Sequence, residues 1–406
     1  MASLRIETEL ETLRRSDRYR TLQSGDRVID EMGAWICVNG VQLADFSSND
    51  SLGLSQHKVL KRAAIDAIEQ YGTGGASARL IAGSSRLSER LEETLAQWEG
   101  MPAARLFTSG YQLNVGLLSA LAQPSDVFFL DRQCHASLID GARVAATNRH
   151  VSFKRYRHLD MQDLTRCLEK TPCTGQRWIV TESLFSMSGG ISDLSAVCDV
   201  ADAFEGRVIV DEAHASGAYG LAHRWSGLVA SQGVSDRVAL QVGTAGKALG
   251  SHGAWVAGSQ DLMDWLSNTC RSFIYTTALP PATLAATLAA IDLLKTQDTL
   301  PRQLHANIDY FWQLMAACPQ GHPGLKPPPS PEARAHIIAV VLGDNASALK
   351  ASDALQAAGC YIRAIRPPTV PEGEAMLRIS LSAAHSKAQI ERLCDVLLEM
   401  PALLLK

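Results

Sequence analysis

Val242-Gly243-Thr244-Ala245-Gly246-Lys247-Ala248-Leu249-Gly250 follows the apolar run Val238-Ala239-Leu240 and is built otherwise of small residues. A lysine in that company has two readings. In one it occupies a tight site where desolvation and nearby cations lower its pKa, so that its amine can form a Schiff base. In the other it is a solvated lysine on a glycine-rich loop. The rest of the chain decides between them by what it brings to the same place.

Outward from this stretch, short apolar runs alternate with helical patterns. The runs are Ala104 to Phe107, Val127 to Leu130, Trp178 to Thr181, Val208 to Val210, Val238 to Val242 and Ala254 to Ala257. Runs that are apolar throughout and spaced by helices predict an α/β fold, a mainly parallel sheet with helices on both faces. Ligands of such sheets lie beyond the carboxyl ends of the strands. Polar residues collect there. Gly110 and Tyr111 lead into a helix over Gln112 to Leu121, whose first amides form an anion cradle. Asp131 and His135 follow the next run, then Glu182 and Ser186, then Asp211, Glu212 and His214, and last Thr244 and Lys247. Each alone has a structural explanation; their arrival at one end of successive strands favours a site.

The flanks read as separate pieces. Residues 3 to 20 carry the pattern of an amphipathic helix. Asn39-Gly40 between two short apolar runs predicts a hairpin. Helices are expected from His57 to Tyr71 and from Arg86 to Trp98. The glycine-rich turn Gly72 to Arg79 lacks a following G-K-[ST], which argues against a nucleotide P-loop. Helices over 284–295 and 304–318 precede a stretch, Pro323 to Pro331, that holds five prolines and marks a boundary loop. Beyond it, strands at 337–342, 361–365 and 376–381 and helices at 346–358 and 387–400 predict a smaller α+β domain. The division expected is an N-terminal segment 1–56, a large domain 57–300 and a C-terminal domain 301–406.

Composition bounds the function. Of 406 residues 46% are hydrophobic and 20% charged, with net charge −4, so no basic stripe marks a nucleic-acid partner. Nine scattered cysteines without a C-x-x-C pair give neither a metal site nor a disulfide framework, which fits a reducing, cytoplasmic location. No apolar run is long enough to span a membrane.

The collected groups match the needs of pyridoxal phosphate. Lys247 would hold the aldehyde. Asp211 would keep the pyridine nitrogen protonated, because an opposite charge beside it favours the cationic form. His135 could stack on the ring and His214 donate to its phenolic oxygen. Gly110, Tyr111 and Thr244 offer amides and a hydroxyl to the phosphate. Arg378, within Leu377-Arg378-Ile379, is either a bidentate receptor for a substrate carboxylate or an arginine on the solvent face of a half-buried strand.

The chain also resembles a known family. F-S-S-N-D-S-L-G-L at 46–54, T-S-G-Y at 108–111, H-A-S-L at 135–138, T-E-S-L-F-S-M at 181–187, D-E-A-H at 211–214, T-A-G-K at 244–247 and I-R-P-P-T-V-P at 365–371 are similar to stretches of the α-oxoamine synthases. These are fold-type-I pyridoxal phosphate enzymes that join an amino acid to an acyl thioester with loss of carbon dioxide. The last stretch leans toward the biotin-synthesis branch. The resemblance implies a seven-stranded, mainly parallel sheet with a small C-terminal domain, and a homodimer with shared sites. It implies L-alanine and a pimeloyl thioester, on CoA or a carrier protein, as substrates; the alternative is a sister enzyme with another amino acid or acyl-CoA. It assigns Lys247 to aldehyde binding and proton transfer, Asp211 to the pyridinium, His214 to the ring oxygen and His135 to stacking. Gly110, Tyr111 and Thr244 fall to the phosphate, and Glu182 and Ser186 to the pocket wall. Asn49 and Arg378 fall to substrate carboxyl or carbonyl groups, Thr369 and either Arg20 or Arg18 to the acyl side, and Thr276 or Thr277 to the neighbouring subunit's phosphate. Ser51, Ser88, Ser188 and Gly190 depart from the family's usual residues.

Overall fold

The computed structural model describes residues 2–149, 151–317 and 322–404; Cys318, at the end of the helix predicted over 304–318, lies outside them. The chain runs α1 (Ala2–Arg15), β1 (Asp26–Asp30), β2 (Gly33–Val38), β3 (Val41–Asp45), α2 (Lys58–Tyr71), α3 (Arg86–Glu99), β4 (Ala103–Phe107), α4 (Gly110–Leu121), β5 (Val127–Asp131), α5 (Ala136–Arg149), β6 (Ser152–Tyr156), α6 (Met161–Lys170), β7 (Arg177–Glu182), α7 (Leu194–Ala203), β8 (Gly206–Asp211) and α8 (Leu228–Ser231). It continues with β9 (Val238–Thr244), β10 (Ala254–Gly258), α9 (Gln260–Thr269), α10 (Arg271–Ile274), α11 (Pro281–Thr296), α12 (Thr299–Ala316), β11 (Ile337–Gly343), α13 (Asn345–Ala357), β12 (Cys360–Tyr361), β13 (Ala364–Ile365), β14 (Ala375–Ser380) and α14 (Lys387–Leu404). Two compact units result, one of residues 52–186 and 190–301, the other of residues 1–51, 187–189 and 302–406. The N-terminal segment and the C-terminal domain, read separately from sequence, thus fall in one unit.

The larger unit holds a seven-stranded sheet in the order β4-β10-β9-β8-β7-β5-β6. Neighbours from β9 through β6 pair in parallel, and β10 runs antiparallel to both β9 and β4. The central strands are buried along their apolar lengths; Val208, Ile209 and Val210 are sealed from solvent, as a strand covered on both faces requires. The strand β6 was not legible as an apolar run. Its Ser152-Phe153-Lys154-Arg155-Tyr156 is largely exposed, the pattern of an edge strand.

Helix α4 packs on α5 with little room between them. A Cβ on Gly141 of α5 would stand 2.6 Å from the Asn114 carbonyl oxygen and 3.2 Å from the Val115 Cα. Leu113, Leu117 and Leu118 of α4 are fully buried. The helix is therefore held on the sheet at fixed height, and with it the side chain of Asn114.

In the smaller unit one sheet has the order β1-β2-β3-β12, and a second has β11-β14-β13. The predicted hairpin is present: β2 and β3 pair antiparallel, with Asn39 and Gly40 at φ 51° and 80°, the primed turn that Asn-Gly favours. The strand expected over Tyr361–Ile365 is instead two short strands in different sheets. The first, β12, pairs in parallel with β3, while β13 pairs antiparallel with β14.

Replacing Gly141 by valine should force α4 and α5 apart. The expected loss is about 1–3 kcal/mol of stability, read as a lowered urea midpoint, with weakened cofactor binding because Asn114 moves with its helix.

Candidate active site

The register of the parallel strands assembles the site. Glu182, the last residue of β7, lies opposite Asp211, the last of β8, and Asp211 lies opposite Val242 of β9. Two carboxyl groups are thereby fixed side by side at the carboxyl end of the sheet, with the lysine loop following the next strand. Both are buried.

Both carboxyl groups accept hydrogen bonds. Asp211 Oδ2 accepts from Asn114 Nδ2 (2.8 Å) and Oδ1 from the Ala213 N–H (2.9 Å). Glu182 accepts from the backbone N–H groups of His135 and Ser186. Burial, and then the Asp211 charge, push the Glu182 carboxyl up to about 8, against the opposing pull of Lys247. Glu182 thus holds its proton to a higher pH than an ordinary carboxyl.

Asn114 is the residue that sequence reading missed. Its Nδ2 bridges Asp211 and the Ser137 hydroxyl (3.0 Å), and that hydroxyl stands 2.7 Å from His135 Nδ1. One amide thus ties the acid on β8 to the histidine ahead of α5. The available signal was a polar side chain within the apolar turn Leu113-Asn114-Val115. Burial lowers the pKa of His135, and Lys247 lowers it further against an opposing effect of Asp211, which favours a neutral, flat ring. His214 is buried in the turn after β8.

Helix α4 begins on an N-cap, with Ser109 Oγ accepting from the Gln112 N–H (3.3 Å). The N–H groups of Gly110 and Tyr111 find no acceptor among the described residues, as the first turn of a helix dictates. A Cβ on Gly110 would meet nothing within 4 Å. The Tyr111 side chain turns aside, its hydroxyl on Asp140 and its ring edge-on to His135.

Lys247 is half-buried in the loop after β9. Its loop is braced: Ala245 N–H donates to Gly253 O, Ser251 N–H to Ala245 O and Gly250 N–H to Lys247 O. Gly250 has φ +62°, and a Cβ there would come within 2.3 Å of the Ser55 nitrogen. The Thr244 hydroxyl donates to Gly253 O (2.8 Å) and accepts from the Gly246 N–H (3.3 Å).

Other strand-end residues serve the fold. Asp131 accepts from the N–H groups of Gln133 and Leu159. Glu212 accepts from those of Leu228 and Val229 at the start of α8. Thr276 contacts the Gln112 amide, whereas Thr277 is exposed. Both line a small cavity with Arg79 and Ser88. Ser88 closes the capping box of α3 with Ser85.

In the smaller unit Arg378 is only 7% exposed, which rules out the solvent-face reading. Its Nη1 donates to Ser380 Oγ (2.8 Å) and Nη2 to Asn49 Oδ1 (3.0 Å). Burial lowers the guanidinium to about 10. Arg20 Nη2 donates to the carbonyls of Arg366 (3.1 Å) and Pro367 (3.0 Å), while Arg18 pairs with Glu372. Thr369 is exposed, its N–H on Arg366 O.

The donor set fits pyridoxal phosphate. A buried carboxyl that accepts two hydrogen bonds suits a pyridinium. The uncommitted amides of α4 suit its phosphate.

Comparisons with known proteins agree. Residues 41–397 match the family Aminotransferase class I and II. The chain is 39% identical to 8-amino-7-oxononanoate synthase of Geotalea daltonii over 95% of its own length and 94% of that protein's. Relatives of the same name match at up to 41% identity. A serine palmitoyltransferase from S. paucimobilis, with a bound PLP–myriocin aldimine, superposes with TM-score 0.88 at 26% identity, covering 98% of this chain and 97% of that one. The 8-amino-7-oxononanoate synthase of Francisella tularensis superposes with TM-score 0.73 at 28% identity, covering 89% and 98%.

Two outcomes test the site. In the cofactor-free protein, Glu182 has a folded value near 8 against an ordinary 4.5. The folded state then binds the extra proton, so this contribution is complete below pH 4.5 and lost as pH rises through 8. Urea midpoints should fall across that window, and Glu182→Gln should flatten the fall. Asn114→Leu should weaken cofactor affinity about tenfold or more, because Asp211 loses a charge-assisted hydrogen bond of about 1.5–3 kcal/mol; a cofactor titration followed by absorbance reads this.

Proposed function

The chain belongs to the α-oxoamine synthases, within the aminotransferase class I and II family, and on that premise we propose that it condenses L-alanine with a pimeloyl thioester. The products are 8-amino-7-oxononanoate, carbon dioxide and free thiol, a step of biotin biosynthesis. It is a pyridoxal phosphate-dependent C-acyltransferase. The observation that carries the reading is the matched strand-end pair, with Asp211 clamped by Asn114 and Lys247 on the adjoining loop.

When bound, pyridoxal phosphate supplies an electron sink that stabilises negative charge on the amino acid's α-carbon. The chain's residues do the rest. Lys247 holds the cofactor's aldehyde and, once freed, its amine takes the α-proton. Asp211 keeps the pyridine nitrogen protonated throughout. His135 offers a neutral ring for stacking, and His214 a proton to the ring oxygen. Gly110 and Tyr111 bind the phosphate through their N–H groups, and Glu182, protonated, lines the pocket with Ser186 without adding a second negative charge. Asn49 orients Arg378, whose guanidinium receives the substrate carboxylate. Arg20 and Thr369 serve the acyl side. The new carbon–carbon bond expels the thiolate, the carboxylate next to the new ketone leaves as carbon dioxide, and a proton returned from the Lys247 amine takes its place on the α-carbon.

The working form is a homodimer in which Thr277 is supplied to a second copy's phosphate, and it acts in the cytoplasm. No helix among the described residues is long and apolar enough to cross a membrane. The acyl group arrives on CoA or on a carrier protein. The serine palmitoyltransferases superpose with the higher TM-score, which favours a second reading, a sister synthase with another amino acid and acyl group. Relatives at 37–41% identity under one name weigh toward the first.

Mass spectrometry of the products from a panel of amino acids and thioesters tests the choice. L-alanine with pimeloyl-CoA should give the amino-oxononanoate, and product from glycine or serine alone would sink the assignment. Lys247→Ala should lower turnover by about 10²–10⁴-fold at least and remove the yellow colour of the covalently held cofactor.

A further inference from the structure

Outside the site described above, the smaller unit contains a second cavity, of about 330 Å³. Arg14, Tyr19, Arg363 and Arg366 line it, together with the acids Asp17 and Asp353. Arg366 is 7% exposed. Its Nη1 donates to the Asp17 carbonyl and its Nη2 to the Tyr19 carbonyl (3.4 Å). Its Nε is buried with no acceptor among the described residues. Arg363 donates to the Gln23 side chain, and Arg14 lies over the Tyr19 ring at 4.6 Å. Arg20 approaches from the same strap and bonds the Arg366 and Pro367 carbonyls.

These four guanidinium groups, on Arg14, Arg20, Arg363 and Arg366, have no carboxylate ion-pair partner among the described residues. Several surface arginines elsewhere are neutralised: Arg62, Arg157, Arg237 and Arg334 each pair with an aspartate. The cost of the arrangement shows in Arg366, whose pKa is lowered by burial, then by Arg20 and Arg363, with Asp17 opposing. A bound polyanion would remove that repulsion. Planar forks of this kind match phosphate oxygens two at a time.

We infer that this arginine-lined cleft binds the phosphate groups of a phosphopantetheine-bearing acyl donor, those of CoA or the single phosphodiester of a carrier protein's arm. The identity of the donor rests on the reaction proposed above. The place in the chain supports the link: Arg366 opens the stretch Arg366-Pro367-Pro368-Thr369, and its carbonyl accepts from the Thr369 N–H (3.1 Å), the residue assigned to the acyl side.

The test uses the holoenzyme and an R14Q/R363Q double variant. Both residues point to the cleft without holding backbone carbonyls, so Arg366 is left in place. 4′-Phosphopantetheine should bind the wild-type protein in calorimetry and bind the variant at least tenfold more weakly. Absence of binding to the wild type, equal binding to both, or binding of pimelate in place of the phosphopantetheine overturns the inference. Steady-state rates then identify the source. A CoA site requires the kcat/KM preference for pimeloyl-CoA over pimeloyl-pantetheine to fall at least tenfold in the variant. A carrier-protein site requires the same fall for the pimeloyl carrier protein instead, and no fall for either donor overturns the proposal. A wild-type protein that turns over none of these thioesters refutes the reaction, while the calorimetry still decides the cleft.

Discussion

Two carboxyl groups that cannot both be ionised at low cost stand at matched ends of neighbouring parallel strands, and the architecture of the larger unit resolves their conflict. Backbone pairing sets Glu182 opposite Asp211, so their proximity is not adjustable by side-chain choice. The N–H groups of His135 and Ser186 face Glu182, and the Asn114 amide faces Asp211. Burial and the Asp211 charge raise the Glu182 carboxyl, and prevail over the N–H groups that favour its ionised form.

Helix α4 couples that electrostatic arrangement to anion binding. Its first turn presents the uncommitted amides of Gly110 and Tyr111, and one turn later Asn114 reaches Asp211. A single element therefore fixes the distance between these amides and the Asp211 carboxyl. The bare Gly141 surface beneath it and the buried leucines beside it fix its height. Interiors this closely packed transmit displacement rather than absorb it, so the ligand's seat is only as accurate as this helix contact.

Much of this was legible in the residues. Six apolar runs gave the sheet, and the polar groups after them gave the site's address, because strand ends in parallel sheets converge. The hairpin at Asn39-Gly40 was legible because its turn demands left-handed residues. What escaped had physical causes. The edge strand Ser152–Tyr156 has one ladder partner and open faces, so its side chains carry no apolar signature. Ile362 and Arg363 interrupt a run that looked continuous, since chain direction changes between two sheets there. The role of Asn114 depends on which way one helix face turns, and the burial of Arg378 on which side of its strand is covered.

The parallel pairing of β12 with β3 has a consequence for biogenesis. The hairpin of β2 and β3 leaves the ribosome early, yet the strand that covers its free edge lies near residue 360. Until most of the polypeptide has been synthesised, that edge offers unpaired amides and carbonyls to any other nascent strand. The smaller unit therefore completes this sheet only after the strand near residue 360 has been made, although its hairpin precedes the larger unit in the chain.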